Sequence, residues 1–193
     1  AVSRETARKT LGLPADKRII LYSGHLYPWK GAGTFRDAAL QFQAEEPEFR
    51  DALFIFVGGT GEDVEEFKSK IGKHEGIRMV GHRPYGEIPL WLKAADILVL
   101  PNSGHVEISK WCTSPLKLFE YMASGVPMIA SDLPSLREIL DDESAAWFRP
   151  DDAGNLKAAI LSVLRDPRSA SQRAQNAYAR VGNYSWERRA HKI

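Results

Sequence analysis

Six short apolar runs, separated by longer amphipathic segments, constrain the fold of this chain more than any other feature. The runs are Ile19–Tyr22, Leu53–Val57, Ile77–Val80, Ile97–Leu100, Met128–Ala130 and Ala146–Phe148. Continuous apolar runs of this length are typical of strands buried on both faces of a sheet. Helix-period patterns fill the segments before, between and after them, at 3–12, 33–46, 61–73, 86–95, 115–124 and 134–141, with two or three more helices from 153 onward.

Strands that alternate with amphipathic helices indicate βαβ units, whose right-handed crossovers give a parallel sheet. We therefore predict an α/β protein with a Rossmann-like, doubly wound parallel sheet of about six strands and helices on both faces. We expect residues 1–193 to form a single domain. In such folds ligands bind outside the carboxyl ends of the strands, so the loops that follow the strands are the candidate site.

Composition narrows the class of function. The formal net charge of the 193 residues is only +1, which gives no field that would attract nucleic acid. Cys112 is the one cysteine, so an internal disulfide and a multi-cysteine metal site are excluded, and a reducing, cytoplasmic compartment is expected. No apolar run approaches the roughly 18 residues of a transmembrane segment. The sequence ends within a pattern, at Ile193, so we expect a fragment.

The loop after the first predicted strand has the composition of an anion-binding loop. Gly24 and Gly31 flank a single cation, Lys30, and a helix follows. Two glycines, a lysine and a helix could wrap an anion, although neither the P-loop nor the GxGxxG spacing is present. A long turn stabilised by packing of Tyr27 and Trp29 is an equally good interpretation of this loop.

The next two loops are also rich in glycine or polar groups. Gly58 lies in a glycine run that lets backbone approach a ligand closely, or simply makes a tight turn into the next helix. Gly81, His82, Arg83 and the flat side chain of Tyr85 follow the third strand, where a nucleotide base could lie. His82 and Arg83 would otherwise be plain surface residues.

The fourth loop, residues 101–112, is long for a compact domain, and such loops usually carry function. His105 and Glu107 in this loop are candidates for sugar or acid-base contacts. The alternative is that both side chains are simply solvated.

The loop leads into a helix start that is suited to a phosphate. Ser114 can cap the helix and Pro115 suits its first position, so free N–H groups and the helix dipole face the loop. Glu120 lies about one and a half turns further on. Its carboxylate could bind a pair of hydroxyls on a group attached to the phosphate, as acidic residues do for ribose. Alternatively it pairs with Lys117 on a solvated face.

Taken together, these segments resemble the C-terminal, donor-binding domain of GT-B glycosyltransferases of family GT4. The matching motifs are GHLYPWKG at Gly24–Gly31, VGG at Val57–Gly59, VGH at Val80–His82, ADILVLP at Ala95–Pro101 and SPLKLFEYMASGVPMIASD at Ser114–Asp132. They occur in the family's order and cover about residues 10–190. The resemblance implies that the chain is one half of a GT-B fold.

The resemblance also implies residue roles. Glu120 matches the second glutamate of the family's E-x7-E motif, which binds the ribose hydroxyls of a nucleotide-diphosphate sugar. The backbone of Pro115, Leu116 and Lys117 matches the helix start that holds the diphosphate. Lys30 matches the lysine that neutralises the diphosphate as it leaves.

The glycines and the residues after the third strand have implied roles as well. Gly24 and Gly31 match the glycines that shape the first loop. Gly81, His82 and Arg83 fall where backbone meets the base.

Two positions depart from the family pattern. Cys112 stands where the first glutamate of E-x7-E is expected beside the transferred sugar, so sugar contacts must differ, and Glu107 is a substitute that does not fit the spacing. His25 replaces the arginine that usually accompanies the lysine. A neutral imidazole makes fewer charge-assisted bonds than a guanidinium, so donor affinity is expected to be weaker or pH-sensitive near a pKa of about 6.5.

The implied function is transfer of a sugar from a nucleotide-diphosphate sugar by a retaining, metal-independent enzyme with no cofactor. The partner would be an N-terminal acceptor domain, without which this chain binds donor but is inactive. Family members often attach to membranes through that other domain. The resemblance therefore leaves a location at the inner face of a membrane open for the full-length protein. The sequence names neither the nucleotide nor the sugar. Two alternatives stay open: the nucleotide half of a sugar-nucleotide epimerase, and a non-catalytic scaffold domain, for which Cys112 and His25 are the support.

Overall fold

The computed structural model describes residues 2–111, 116–185 and 188. It contains one six-stranded, all-parallel sheet. The strands are β1 (Ile19–Ser23), β2 (Leu53–Val57), β3 (Ile77–Gly81), β4 (Ile97–Leu100), β5 (Met128–Ser131) and β6 (Ala146–Phe148). All six predicted strands are confirmed, and their order across the sheet is β3-β2-β1-β4-β5-β6.

Nine α-helices are present among the described residues. They are α1 (Arg4–Leu11), α2 (Ala32–Glu45), α3 (Gly61–Ile71), α4 (Ile88–Ala94), α5 (Glu107–Trp111), α6 (Leu116–Ser124), α7 (Pro134–Arg137), α8 (Ala153–Arg165) and α9 (Pro167–Val181). Each α-helix predicted from the sequence has a counterpart among them, and the predicted doubly wound parallel sheet is confirmed.

Two elements differ from the prediction. The long loop at 101–112 contains the short helix α5, which the sequence did not predict because the segment is polar and lacks a helical apolar period. Helix α7 ends at Arg137 rather than near 141. Turn-type backbone bonds continue to Leu140, and the Asp141 N–H then donates to the Ser144 hydroxyl at 2.9 Å instead of to a helical carbonyl.

Helices cover both faces of the sheet because successive strand residues point to opposite sides. On one face, Ile19 and Leu21 pack with residues of α1, α4, α6 and α9. On the other face, Ile20 and Tyr22 pack with residues of α2, α3 and α8. Strands β1, β2, β4 and β5 are buried throughout, whereas β3 is only partly covered because it is an edge strand.

Helix α1 is tied to the amino ends of the strands by a buried ion pair. The Arg8 guanidinium donates to the Asp96 carboxylate at 2.7 Å and to the Ala94 carbonyl at 2.9 Å. The same carboxylate accepts from the backbone N–H of Ile19 at 2.8 Å and from Arg4 at 2.6 Å. One aspartate therefore joins α1, β1 and the turn before β4.

The strand order reverses direction at β1, which lies between β2 and β4. The chain leaves β1 toward one edge of the sheet and leaves β4 toward the other edge. Such a switch point leaves a crevice outside the carboxyl ends of β1 and β4. The loop after β1, the loop after β4 and the start of α6 all meet at this end of the sheet.

Candidate functional site

The loops after the first three strands are joined by backbone hydrogen bonds. The Gly24 N–H donates to the Val57 carbonyl at 2.9 Å, and the Gly58 N–H donates to the Gly81 carbonyl at 2.8 Å. A Cβ at Gly58 would lie 2.2 Å from the Gly24 carbonyl oxygen, and φ at Gly58 is +119°. Only glycine allows these strand ends to approach so closely.

The loop after β1 is also held against the loop after β4. The Ser103 N–H donates to the Trp29 carbonyl at 3.0 Å. Gly31 has φ +74°, and a Cβ there would lie 1.6 Å from the Pro101 carbonyl oxygen. The glycine-rich loop therefore forms a fixed wall of the crevice.

Lys30 is the cation of this wall. Its Nζ lies 3.8 Å from the centroid of the Trp29 ring, and partial burial lowers its pKa. No carboxylate pairs with Lys30 within the part of the chain that the structure describes. A cation held by an aromatic ring and lacking an anionic partner is suited to an incoming anion.

Aromatic packing orders the same loop, as the alternative interpretation of it required. The exposed His25 ring stacks on Tyr27 with centroids 5.0 Å apart and an interplanar angle of 5°. Tyr27 in turn stacks on Trp29 at 6.5 Å. The Tyr22 hydroxyl donates to the His25 carbonyl, so the base of the loop is fixed as well. The two interpretations of the loop are compatible.

The residues after β3 are exposed, unlike the ordered loop after β1. Gly81 adopts φ +74°, and both His82 and Arg83 are exposed. The structure thus gives neither side chain a described contact with Lys30 or Glu120, and their place beside the base stays a prediction.

Helix α6 brings a second cation to the site. Lys117 is buried, and its Nζ lies 4.6 Å from the centroid of the Tyr22 ring. The interpretation of a Lys117–Glu120 pair on a solvated face is therefore wrong, because helical periodicity turns Lys117 to the buried side. Three other predicted positions of this segment, Cys112, Ser114 and Pro115, lie outside the described residues, whereas Leu116 begins α6 and is exposed.

Burial changes the protonation of Lys117. Its pKa is lowered to about 7, mainly by desolvation and also by the charge of Lys30, while Glu120 opposes the fall. The Lys117 Nζ has no hydrogen-bond partner among the described residues. Sequence reasoning missed the burial of this side chain, although its i, i+4 spacing to the apolar ring of Tyr121 was a signal that both lie on the core-facing side of the helix.

Glu120 is half-buried on the next turn of α6. Its carboxylate accepts a hydrogen bond from the Tyr85 hydroxyl, which raises the pKa of Tyr85. Both residues line a small cavity of about 180 Å³ between α4 and α6. The sequence placed Tyr85 near the base but did not indicate this contact.

His105 and Glu107 lie apart from these cations in the loop after β4. The His105 side chain is 83% exposed, and its Nε2 lies 3.5 Å from Asp151. Glu107 is exposed at the start of α5. No described contact joins either residue to Lys30 or Glu120, so their sugar contacts stay a prediction.

Within 2–111, 116–185 and 188, no three His, Cys, Asp or Glu residues converge as metal ligands. In the same ranges, no helix is long and apolar enough to cross a membrane.

The fold and the crevice together define a doubly wound α/β domain with a candidate ligand site at the carboxyl ends of its strands. The family model described as glycosyl transferases group 1 matches residues 3–180, and the chain belongs to this family.

Three similar proteins illustrate the match. The D-inositol 3-phosphate glycosyltransferase 2 of Catenulispora acidiphila is 26% identical over 192 residues, which are 95% of this chain and 43% of that protein. The structure of Anabaena Alr3699/HepE in complex with UDP and glucose has a TM-score of 0.74 at 21% identity and covers 93% of this chain and 47% of that chain. The C-terminal domain of the group 1 family protein LpcC from Francisella tularensis has a TM-score of 0.75 at 23% identity. The match covers 96% of this chain and 95% of that domain.

The chain spans less than half of the length of the curated relatives it matches. It corresponds to almost the whole of the separately crystallised LpcC domain. The described fold thus corresponds to somewhat less than half of each of these longer relatives.

Proposed function

We propose that this chain is the donor-binding half of a retaining, metal-independent glycosyltransferase that transfers a sugar from a nucleotide-diphosphate sugar to an acceptor. The single observation that supports the proposal most is the meeting of Lys30, the glycine-rich loop and the start of α6 at the switch point of the sheet. The proposed reaction uses no cofactor.

In this proposal the diphosphate lies against the first turn of α6 and the loop after β1. As the bond between the sugar and the terminal phosphate oxygen breaks, its electron pair stays on that oxygen and negative charge grows there. Lys30 and the helix N–H groups stabilise this charge without having to reorganise. Glu120 accepts hydrogen bonds from the ribose hydroxyls, in place of the one it accepts from Tyr85.

The acceptor is bound by an N-terminal domain in the same full-length protein. The family name and the partial coverage of its relatives support this proposal. This chain alone then binds donor but does not turn it over, because the second wall of the catalytic cleft comes from the other half.

The test is calorimetric titration of this chain with UDP, GDP and ADP, and then with their sugar conjugates. UDP comes first because the Anabaena structure contains it. We expect one nucleotide to bind and Glu120→Ala to weaken its binding at least tenfold, since a hydrogen bond to a charged group contributes about 1.5–3 kcal/mol.

Glu138→Ala is the matched control, because Glu138 is an exposed glutamate immediately after α7. It should leave the affinity unchanged. Equal affinities of the parent chain and Glu120→Ala would refute the role of Glu120. Absence of binding by every nucleotide diphosphate at millimolar concentration would refute the donor site itself.

A further inference from the structure

Lys117 is a polar group whose burial the fold does not explain. Its side chain is 91% removed from solvent, since its relative exposure is 9%, and its Nζ has no hydrogen-bond partner among the described residues. An unpartnered buried amine is costly, because a charged amine loses hydration and a neutral one loses its hydrogen bonds. Such a group is expected where a ligand completes its environment.

The position of the amine identifies that ligand. A Cβ built on Gly24 would lie 3.8 Å from the Lys117 Nζ, so the amine lies directly beneath the glycine-rich loop. Because Gly24 has no side chain, the loop backbone and the Tyr22 hydroxyl are the groups nearest to the amine on this side. Lys30 belongs to the same loop, and its charge is close enough to influence Lys117.

The other groups around the amine do not neutralise it. Tyr22 and Tyr121 are fully buried phenols whose pKa values are raised by burial, so neither becomes an anion at neutral pH. The Tyr121 hydroxyl accepts a hydrogen bond from the Ser23 N–H. Glu120 is the one described anion that favours the charged amine, and Lys30 opposes it.

On the basis of the proposed function, we infer that Lys117 is a second diphosphate-binding cation, which takes up a proton when the diphosphate of the donor enters the site. Two negative charges above Gly24 supply the counter-charge that the free protein lacks. The amine becomes an ammonium ion with a proton from solvent, and no covalent bond changes. This buried cation also compensates for His25, which stands where the family resemblance implies an arginine.

The affinity of the chain for a diphosphate should fall as pH rises. In the free chain the pKa of Lys117 is lowered to about 7, so the amine is mostly neutral at pH 8. Bound diphosphate raises this pKa again, because opposite charge favours the ammonium form. Diphosphate affinity is therefore fully present below pH 7 and falls by up to about tenfold per pH unit as pH rises from 7 toward the pKa of the complex.

Proton uptake is measured by titrating the parent chain with UDP, GDP or ADP at pH 8, in two buffers of different ionisation enthalpy. The second pKa of a phosphate is about 6, so the nucleotide is already fully ionised at pH 8 and takes up no proton itself. We expect uptake approaching one proton for each diphosphate bound by the parent chain, and none by Lys117→Met or Lys117→Arg.

Two controls isolate the lysine. Lys93→Met removes a lysine at the amino ends of the strands and should leave uptake unchanged. His25→Asn is the second control, because uptake that persists in this variant does not come from the imidazole. If Lys117→Met does not fold, the ¹³Cε shift of Lys117 in the parent chain, followed against pH with and without nucleotide, measures the same protonation.

Nucleotide binding without proton uptake would overturn the inference and leave the proposed function intact. Uptake that persists in Lys117→Met would overturn it as well. Absence of any nucleotide binding by the parent chain would instead refute the proposed function, and the inference with it.

Discussion

Gly31 shows how one residue sets the shape of the candidate site. Its left-handed backbone, φ +74°, turns the chain from Lys30 into α2, and its missing side chain lets the loop touch Pro101. The position of Lys30 therefore depends on a contact between the backbones of two distant loops. The resemblance to a glycosyltransferase motif indicated a glycine here, but not the partner that requires it.

We expect Gly31→Ala to lower the free energy of unfolding by about 2 kcal/mol or more and to abolish nucleotide binding. The left-handed conformation alone costs an alanine about 1–2 kcal/mol, and the overlap with a backbone carbonyl cannot be relieved by a rotamer change. Urea denaturation and calorimetric titration measure the two effects.

Gly33→Ala is the control two residues away. Gly33 lies in α2 with open space around its Cβ position, so alanine should raise stability by up to about 1 kcal/mol. A Gly31→Ala chain as stable as the parent would show that the loop can move away from Pro101.

At the scale of elements, helix α6 carries core residues and a lysine of the candidate site on one face. Leu118 and Tyr121 fill the core, while Lys117 on the same side carries its amine to the strand ends. Periodicity predicts that these residues share a face, but not whether a lysine on that face reaches solvent.

Lys117→Met should stabilise the protein in a pH-dependent way. The pKa of Lys117 is lowered from its ordinary value of 10.5 to about 7 on folding, so between these values the unfolded chain binds more protons than the folded one. The stability of the parent chain therefore rises with pH across this window, by up to about 1.4 kcal/mol per unit, and is lowest below pH 7.

Methionine removes this effect, so the variant's stability advantage should shrink by roughly 2 kcal/mol between pH 7 and pH 9. Urea denaturation at the two pH values measures it, with Lys93→Met as the control for loss of a lysine elsewhere. An advantage that does not change with pH would mean that the Lys117 amine stays charged in the folded chain.

At the scale of the whole molecule, the carboxyl and amino ends of the strands have different roles. The carboxyl ends carry the glycine-rich loops and Lys30, whereas the amino ends carry the ion pair of Arg8 and Asp96. The side chains of Arg8 and Asp96 are only 6% and 10% exposed, so this pair is a structural contact between α1 and the sheet.

Asp96→Ala should lower the free energy of unfolding by about 3–5 kcal/mol, because it leaves the buried Arg8 guanidinium without its counter-charge. Thermal and urea denaturation at pH 7 measure the loss. Asp37→Ala is the control, since Asp37 pairs with Arg36 at the surface and such pairs contribute about 0–1 kcal/mol. Equal losses in the two variants would contradict the structural role of the buried pair.

The sequence by itself determined the local elements. Runs such as Leu53–Val57 are apolar throughout because both faces of a central parallel strand are covered, and this pattern needs no knowledge of the partners. Gly12, in the left-handed conformation, ends α1 where the sequence predicted it. The motif residues from Lys30 to Glu120 were likewise identifiable from the chain.

Only the tertiary structure decided which distant groups meet. The strand order brings the loops after β1 and β4 together, and it buries Lys117 beneath Gly24, 93 positions earlier in the sequence. The contacts of Glu120 with Tyr85 and of Asp96 with Arg8 arise in the same way. Local patterns record whether a side chain prefers water or the core. Packing alone determines which charge a buried side chain faces, and with it the protonation of that side chain.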